Sequence, residues 1–248
     1  MSNDWNTFLV QAAIRFLSGQ NPYGAGFGNP PWTLLFLIPT IHVPIQLAML
    51  FPAIVLLILS IYKRKPALIF LVGTSFPFIA SSIYGNIDWM VMAGVAIGGP
   101  LGVILDTIKP QAGIFAIVSE LSKKDKWKDR LKLLIPLIVL SLIFLPLLIP
   151  WLQNMLIVGH SNDGVRNFSL FPYTIPFGLI SMVIAWVKKS PLFGVAASLL
   201  LSPYFYISSM LPLVFLLSDK NWKWGAIANL CSWIIVFCII AGLIPIKL

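Results

Sequence analysis

Charge is what this sequence lacks most. It holds 17 Lys and Arg and only 8 Asp and Glu among 248 residues, 10% in all, where a soluble domain carries roughly a quarter. Histidines number two and cysteines two. With so few acids and histidines, and those scattered, no zinc or multi-carboxylate metal site is expected. Cys231 and Cys238 stand seven apart in one apolar segment. On a helix that is about 10 Å, beyond disulfide reach, so they read as small apolar core residues. Gly24-Ala25-Gly26-Phe27-Gly28 lacks the strand–helix setting of a nucleotide fingerprint, and there is no Walker A sequence, so no cofactor is expected. The first 30 residues have neither the basic start nor the apolar stretch of a secretory signal.

What is abundant is apolar surface: 58% of residues, with a mean hydropathy of +0.92. A water-soluble globule has nowhere to hide that much. Disorder, a disulfide scaffold and a nucleic-acid-binding domain are excluded on the same ground. Long non-alternating runs such as Ile45–Tyr62 and Leu133–Trp151 select helices over a barrel. The predicted fold is all-α: a polytopic transmembrane helical bundle with interfacial helices on the extracytoplasmic side. Residues 1–44 form the extracytoplasmic loop, and residues 45–248 form one bundle of about seven to nine membrane segments.

The net charge of +9 is explained by position. Thirteen of the 17 cations fall in four clusters: Lys63-Arg64-Lys65, Lys123 to Lys132, Lys188-Lys189, and Lys220 with Lys223. The positive-inside rule puts all four in the cytoplasm. Ile45–Tyr62 then runs inward, Ala67–Ile83 and Leu133–Trp151 outward, and Thr174–Val187 back. Leu192–Leu201 and Tyr204–Ser218 meet outside at Ser202-Pro203, and Gly225–Leu243 runs outward. Asp88–Leu121 has two solutions. Either Asp88–Thr107 crosses and Gln111–Leu121 lies on the cytoplasmic surface, or Gly98-Gly99-Pro100 splits the segment into half-helices and Lys109 stays outside. Gly-Gly-Pro is a poor helix interior, which favours the second. On this path the N-terminal 30 residues lie outside with nothing to carry them there, so a preceding membrane helix is expected. Pro52, Pro77, Pro136, Pro146, Pro176 and Pro212 fall inside apolar runs and are expected to bend them.

The outer side holds few charged groups. Asn3–Ser18 reads as an amphipathic helix: Trp5, Phe8, Leu9, Ala12 and Phe16 recur at helical spacing, opposite Asp4, Thr7, Gln11 and Arg15. Asn3 is the expected cap and Gly19 the stop. Its aromatic face is expected on the membrane. A turn-rich stretch from Gly19 to Trp32 follows. Trp32–Pro39 reads as a second interfacial helix, too short to span, with Pro31 in its first turn.

The run Asp4-Trp5, Ala12, Leu17, Gly19, Asn21-Pro22-Tyr23, Asn29-Pro30-Pro31-Trp32 and Pro39 resembles the first external loop of GT-C membrane glycosyltransferases, most of all family 87. That family includes polyprenol-phosphate-mannose-dependent mannosyltransferases. Gly85-Asn86-Ile87-Asp88-Trp89, Lys109-Pro110-Gln111 and Ser202-Pro203-Tyr204 are similar to its later landmarks. The resemblance implies transfer of a sugar, such as mannose, with inversion. The donor would be a polyprenyl-phosphate-linked sugar and the acceptor an extracytoplasmic glycan or glycolipid. Asp4 matches the acidic residue that deprotonates the acceptor. Tyr23, Asn29, Gln111 and Tyr204 fall on the motif positions as substrate contacts.

Such a transfer needs a base near the acceptor hydroxyl, cations or amides at the leaving phosphate, and an apolar groove for the lipid. Asp4 is the first base and Asp88 the reserve. Arg166, Lys109 and Arg15 are candidate phosphate ligands, and His160, in the Gln153–Ser169 loop, a further contact. Partners are the lipid-linked donor, membrane lipids and the acceptor, with no nucleic acid. The competing reading is a non-enzymatic multipass protein, a transporter or scaffold subunit. A transporter would be expected to show internal repeats and mid-membrane ionisable groups, and no convincing repeat is found.

Overall fold

The computed structural model describes residues 4–161 and 167–243, apart from the side chains of Ala25 and of residues 156–161. Every regular element among them is helical. A π-helical turn, Trp5–Leu9, leads into α1 (Val10–Leu17). The extra residue per turn rotates the apolar stripe. Trp5, Leu9 and Ala12 are buried as the spacing predicts, but Phe8 is 36% exposed while Val10 and Ala13 are buried. The expected cap, Asn3, lies outside the described residues.

Of the aromatic face, Trp5 is covered by protein, while Phe8 and Phe16 keep part of their surface exposed. Trp5, 1% exposed, is enclosed by protein: its indole N–H donates to the Val43 carbonyl at 3.1 Å, and its ring meets Phe51 edge-on at 5.7 Å. The chain after α1 wraps back over the helix and covers part of that face. Asn21 caps a short turn by accepting from the Tyr23 amide. Apolar helical structure then runs from Pro31 to Thr40, with α2 (Leu34–Leu37) at its centre and Pro31 in its first turn.

α3 (Ile45–Ala48) and α4 (Phe51–Lys63) form one long apolar stretch. The expected single run Ala67–Ile83 is instead α5 (Ala67–Gly73) and α6 (Phe76–Ile83), broken at an extended Ser75. Pro77 has no N–H for the preceding turn, so the helix restarts there. The same reason places most of the expected prolines at helix starts, and at Pro77 and Pro146 the run bends or breaks just ahead of the proline as expected. Pro52, Pro77, Pro176 and Pro212 stand in first turns, where the amide would lack a partner anyway. Pro146 is the second residue of its helix, and among the described residues Pro136 and Pro150 lie inside α-helices.

α7 (Asp88–Ile97) and α8 (Gly99–Thr107) are the arms of a hairpin. Gly98 turns it at φ +66°, ψ −165°, a conformation reserved for glycine. Each arm is roughly 15 Å long, half a hydrocarbon core. The hairpin brings Lys109 back beside Asp88, so Gly98-Gly99-Pro100 does split the segment into two half-helices. α9 (Pro110–Gly113) and α10 (Ala116–Ser122) descend beside it, and Glu120 accepts from the Gly99 amide at the hairpin tip.

The run Leu133–Trp151 is not one straight span. α11 (Trp127–Ile143) and α12 (Leu145–Ser161) meet at an 89° bend. α12 is held over the N-terminal loop: Trp151 donates to the Gly28 carbonyl and Asn154 to that of Phe27. Much of the expected Gln153–Ser169 loop is therefore helix. α13 (Ile175–Lys188), α14 (Pro191–Leu201), α15 (Leu211–Lys220) and α16 (Trp222–Ile240) complete the fold.

All four basic clusters end on one side. Lys65 and Lys63 pair with Asp219, and Lys189 with Asp125; Arg130 lies over the Trp186 ring. Among the described residues two helical stretches, Ile45–Lys63 and Trp222–Ile240, are long and apolar enough to cross a membrane, and a third is if the bent α11–α12 pair counts as one. The other apolar helices are shorter than a span because turns and breaks divide the runs. Large apolar side chains cover the outer faces of α4, α11, α13 and α16. Cys231 is exposed on α16 rather than part of the core, and Cys238 is half-buried.

Candidate functional site

The site is built where the N-terminal segment meets the start of α7. Gly85, at φ +63°, makes it possible. A Cβ there would lie 2.7 Å from that of Trp5 and 2.8 Å from Ile45 Cδ1. With that room, the Asp4 amide donates to the Tyr84 carbonyl at 2.8 Å, which sets Asp4 beside Asn86.

Asn86 is the hub. Its Nδ2 donates to Asp4 Oδ2 at 3.0 Å and reaches Ser208 Oγ at 3.4 Å. Its Oδ1 accepts from Lys109 Nζ at 3.0 Å and from the Ile87 amide at 2.8 Å. An amide has one acceptor end and one donor end. Its orientation here is forced by a cation on one side and a carboxylate on the other. Lys109 Nζ also lies 2.8 Å from the Asp88 carboxylate and 5.9 Å from the centre of the Tyr206 ring. Asp88 is thus neutralised by Lys109 and buried beneath it, a support for the cation rather than a free base.

A cavity of about 250 Å³ opens over this array, lined by Asp4, Asn86, Lys109, Asn29, Gln111 and Tyr206, with Phe27, Met155 and Tyr204 among its other walls. An apolar pocket of about 200 Å³ shares Gln111, Met155 and Tyr204 with it and continues along Ile114, Phe115 and Leu201. On the opposite side Asp4, Asn86 and Tyr206 also line a recess of about 40 Å³ walled by Phe76, Ala80 and Phe168. The Asp4 carboxylate therefore stands between two openings. The extended chain through Ser202–Tyr206 carries both tyrosines to the cavity, their rings edge to face at 4.8 Å.

Five of the residues predicted from sequence, Asp4, Asn29, Lys109, Gln111 and Tyr204, meet at one cavity. Arg15 does not line it: its Nε donates to the Asn21 carbonyl at 2.9 Å and it packs on Gly24. Tyr23 is buried on Phe27, and its hydroxyl has no hydrogen-bond partner among the described residues. Burial raises that phenol above the usual tyrosine range. Both side chains hold the loop in shape. Arg166 and the His160 side chain lie outside the described residues.

Asn86 stands in one of the motifs that carry the resemblance but has no role legible from sequence, and nothing in the sequence singles out Tyr206, Ser208 or Met155. Only the Gly85-Asn86 turn ahead of a helix hinted at the hub. Among the described residues no group of His, Cys, Asp or Glu is placed to hold a metal ion. No protein-family model, curated protein or solved structure matches this chain.

Proposed function

We propose that this chain is an integral membrane glycosyltransferase. It would move a hexose such as mannose from a polyprenyl-phosphate donor to a glycan or glycolipid acceptor on the extracytoplasmic face. The observation that carries the reading is that Asp4 and Lys109 bind opposite ends of the Asn86 amide on the wall of one cavity. A carboxylate and a cation that close are what sugar transfer from a phosphate needs.

In this reading the acceptor hydroxyl gives its proton to Asp4 as its oxygen bonds to the anomeric carbon. The bond from that carbon to the phosphate oxygen breaks, and the oxygen leaves with the electron pair. Lys109 meets the charge that develops there. Because Asp88 already offsets part of the Lys109 charge, Arg166 is assigned as the second phosphate ligand. The apolar pocket beyond Gln111 and Tyr204 suits the first isoprene units of a lipid chain. The four basic clusters, gathered at the far end of the helices, support a cytoplasmic placement for that end and an external one for the cavity.

The test is transfer in vesicles from a polyprenyl-phosphate hexose, followed by release of polyprenyl phosphate. Asp4→Asn keeps shape and removes basicity. The expected loss is roughly 10²–10⁴-fold in rate, with donor binding retained. Equal turnover by the variant would reject Asp4 as base. No turnover by the parent chain with any glycolipid acceptor would favour the non-enzymatic reading.

A further inference from the structure

We infer that the charged end of the helices holds a second site, one for the headgroup of an anionic phospholipid. A cavity of about 550 Å³ lies there between the end of α13, the start of α14 and the end of α15, lined by Ile184, Lys188, Ser190, Phe193 and Lys220. It is at the opposite end of the chain's helices from Asp4 and shares no residue with the cavities described above. The inference requires only that these helices sit in a membrane; it does not depend on sugar transfer.

Charge is the first argument. The neighbouring acids are already engaged: Asp219 by Lys65 and Lys63, and Asp125 by Lys189. Lys188 and Lys220 thus line one cavity, and among the described residues no acid forms an ion pair with either. The Ser190 hydroxyl, which makes no capping bond to α14, adds a third donor. Two cations and a hydroxyl around one space suit a phosphate diester.

The apolar part decides for a lipid over a free phosphate. Ile184 and Phe193 form the remaining wall. Ile184 continues a stripe on α13 with Phe177, Ile180, Val183 and Val187, the last four all exposed. Phe177 to Val187 covers roughly 15 Å of helix, one leaflet of hydrocarbon. A headgroup between the lysines would lay its acyl chains along that stripe. A soluble phosphate would leave the stripe unused. Basic pockets between membrane helices on the cytoplasmic side take anionic headgroups for this combination of reasons.

The experiment places the chain in phosphatidylcholine vesicles with a minor fraction of phosphatidylglycerol. Co-purified phosphatidylglycerol is then counted by native mass spectrometry after detergent extraction. Lys188→Gln and Lys220→Gln should each weaken retention about fivefold, and the pair about 25-fold. Lys188→Arg with Lys220→Arg should retain the lipid, which separates charge from folding. Lys189→Gln, at the Asp125-paired neighbour, should leave retention unchanged. Parent-like retention by the double Gln variant would overturn the site. An equal loss on Lys189→Gln would reduce it to a general surface field. Displacement by inorganic phosphate would make it a soluble-phosphate site and overturn the lipid.

Discussion

Lys109 and Asp88 form an ion pair of 2.8 Å with side chains only 4% and 0% exposed. A buried pair of this kind adds little net stability, yet breaking it is costly, because the surviving charge is left largely buried without its counter-charge. Asp88→Asn should therefore destabilise the protein by about 3–5 kcal/mol. Asp88→Leu combined with Lys109→Met should recover most of that loss. Urea unfolding in detergent micelles measures both. Equal stability of Asp88→Asn and the parent would mean that the pair is hydrated.

The same double variant separates stability from activity. It removes the cation assigned to the phosphate while keeping the hairpin packed. Under the proposed chemistry it should fold and bind the lipid tail but transfer sugar at least about 10²-fold more slowly. Normal transfer by this variant would remove Lys109 from the mechanism.

Tyr23 gives a prediction of opposite sign. Its hydroxyl is buried with no partner among the described residues, so Tyr23→Phe should be neutral or stabilising by about 1 kcal/mol. Burial favours the neutral phenol, raising its folded-state pKa above the unfolded value near 10. Above that pH the unfolded chain releases a proton that the folded chain keeps. Stability should fall as pH climbs past about 10, and less steeply in Tyr23→Phe. If Tyr23 bonded a sugar, the variant would instead lose transfer at neutral pH.

At Gly85 the expectation is loss of the N-terminal docking. A methyl there meets Trp5 and Ile45 within 2.8 Å, on a backbone at positive φ. Gly85→Ala should cost more than about 1 kcal/mol and expose the segment around Trp5 to protease ahead of global unfolding. Unchanged cleavage kinetics would show that the site tolerates the shift.

Orientation is tested by reporters. A fusion after Lys132 should read cytoplasmic and an insertion after Gly19 external. The reverse in both would put Asp4 on the wrong side for a lipid-linked donor on the outer leaflet.

The sequence alone determined what depends on local chemistry and on composition. Scarce charge and apolar runs required helices. The four basic clusters marked one end, Gly98-Gly99-Pro100 marked the hairpin turn, and Pro31 marked the start of the short apolar helix ending at Thr40. Asp4, Lys109 and Gln111 stood out because charged and polar groups are rare in such a chain. Tertiary structure decided the rest. Nothing near Asn86 in the sequence shows that its amide spans from Asp4, 82 residues away, to Lys109, 23 residues on. A neutral amide becomes a hub only when folding gives its two ends opposite charges to meet. The covering of Trp5 by protein was equally hidden, and Pro146 announced a bend before Leu145 without its right angle. An apolar face reads the same whether lipid or the protein's own loop covers it. Which one does is set by the Trp151 and Asn154 bonds to Gly28 and Phe27 and by the Trp5 bond to Val43, contacts that exist only once distant segments are packed together.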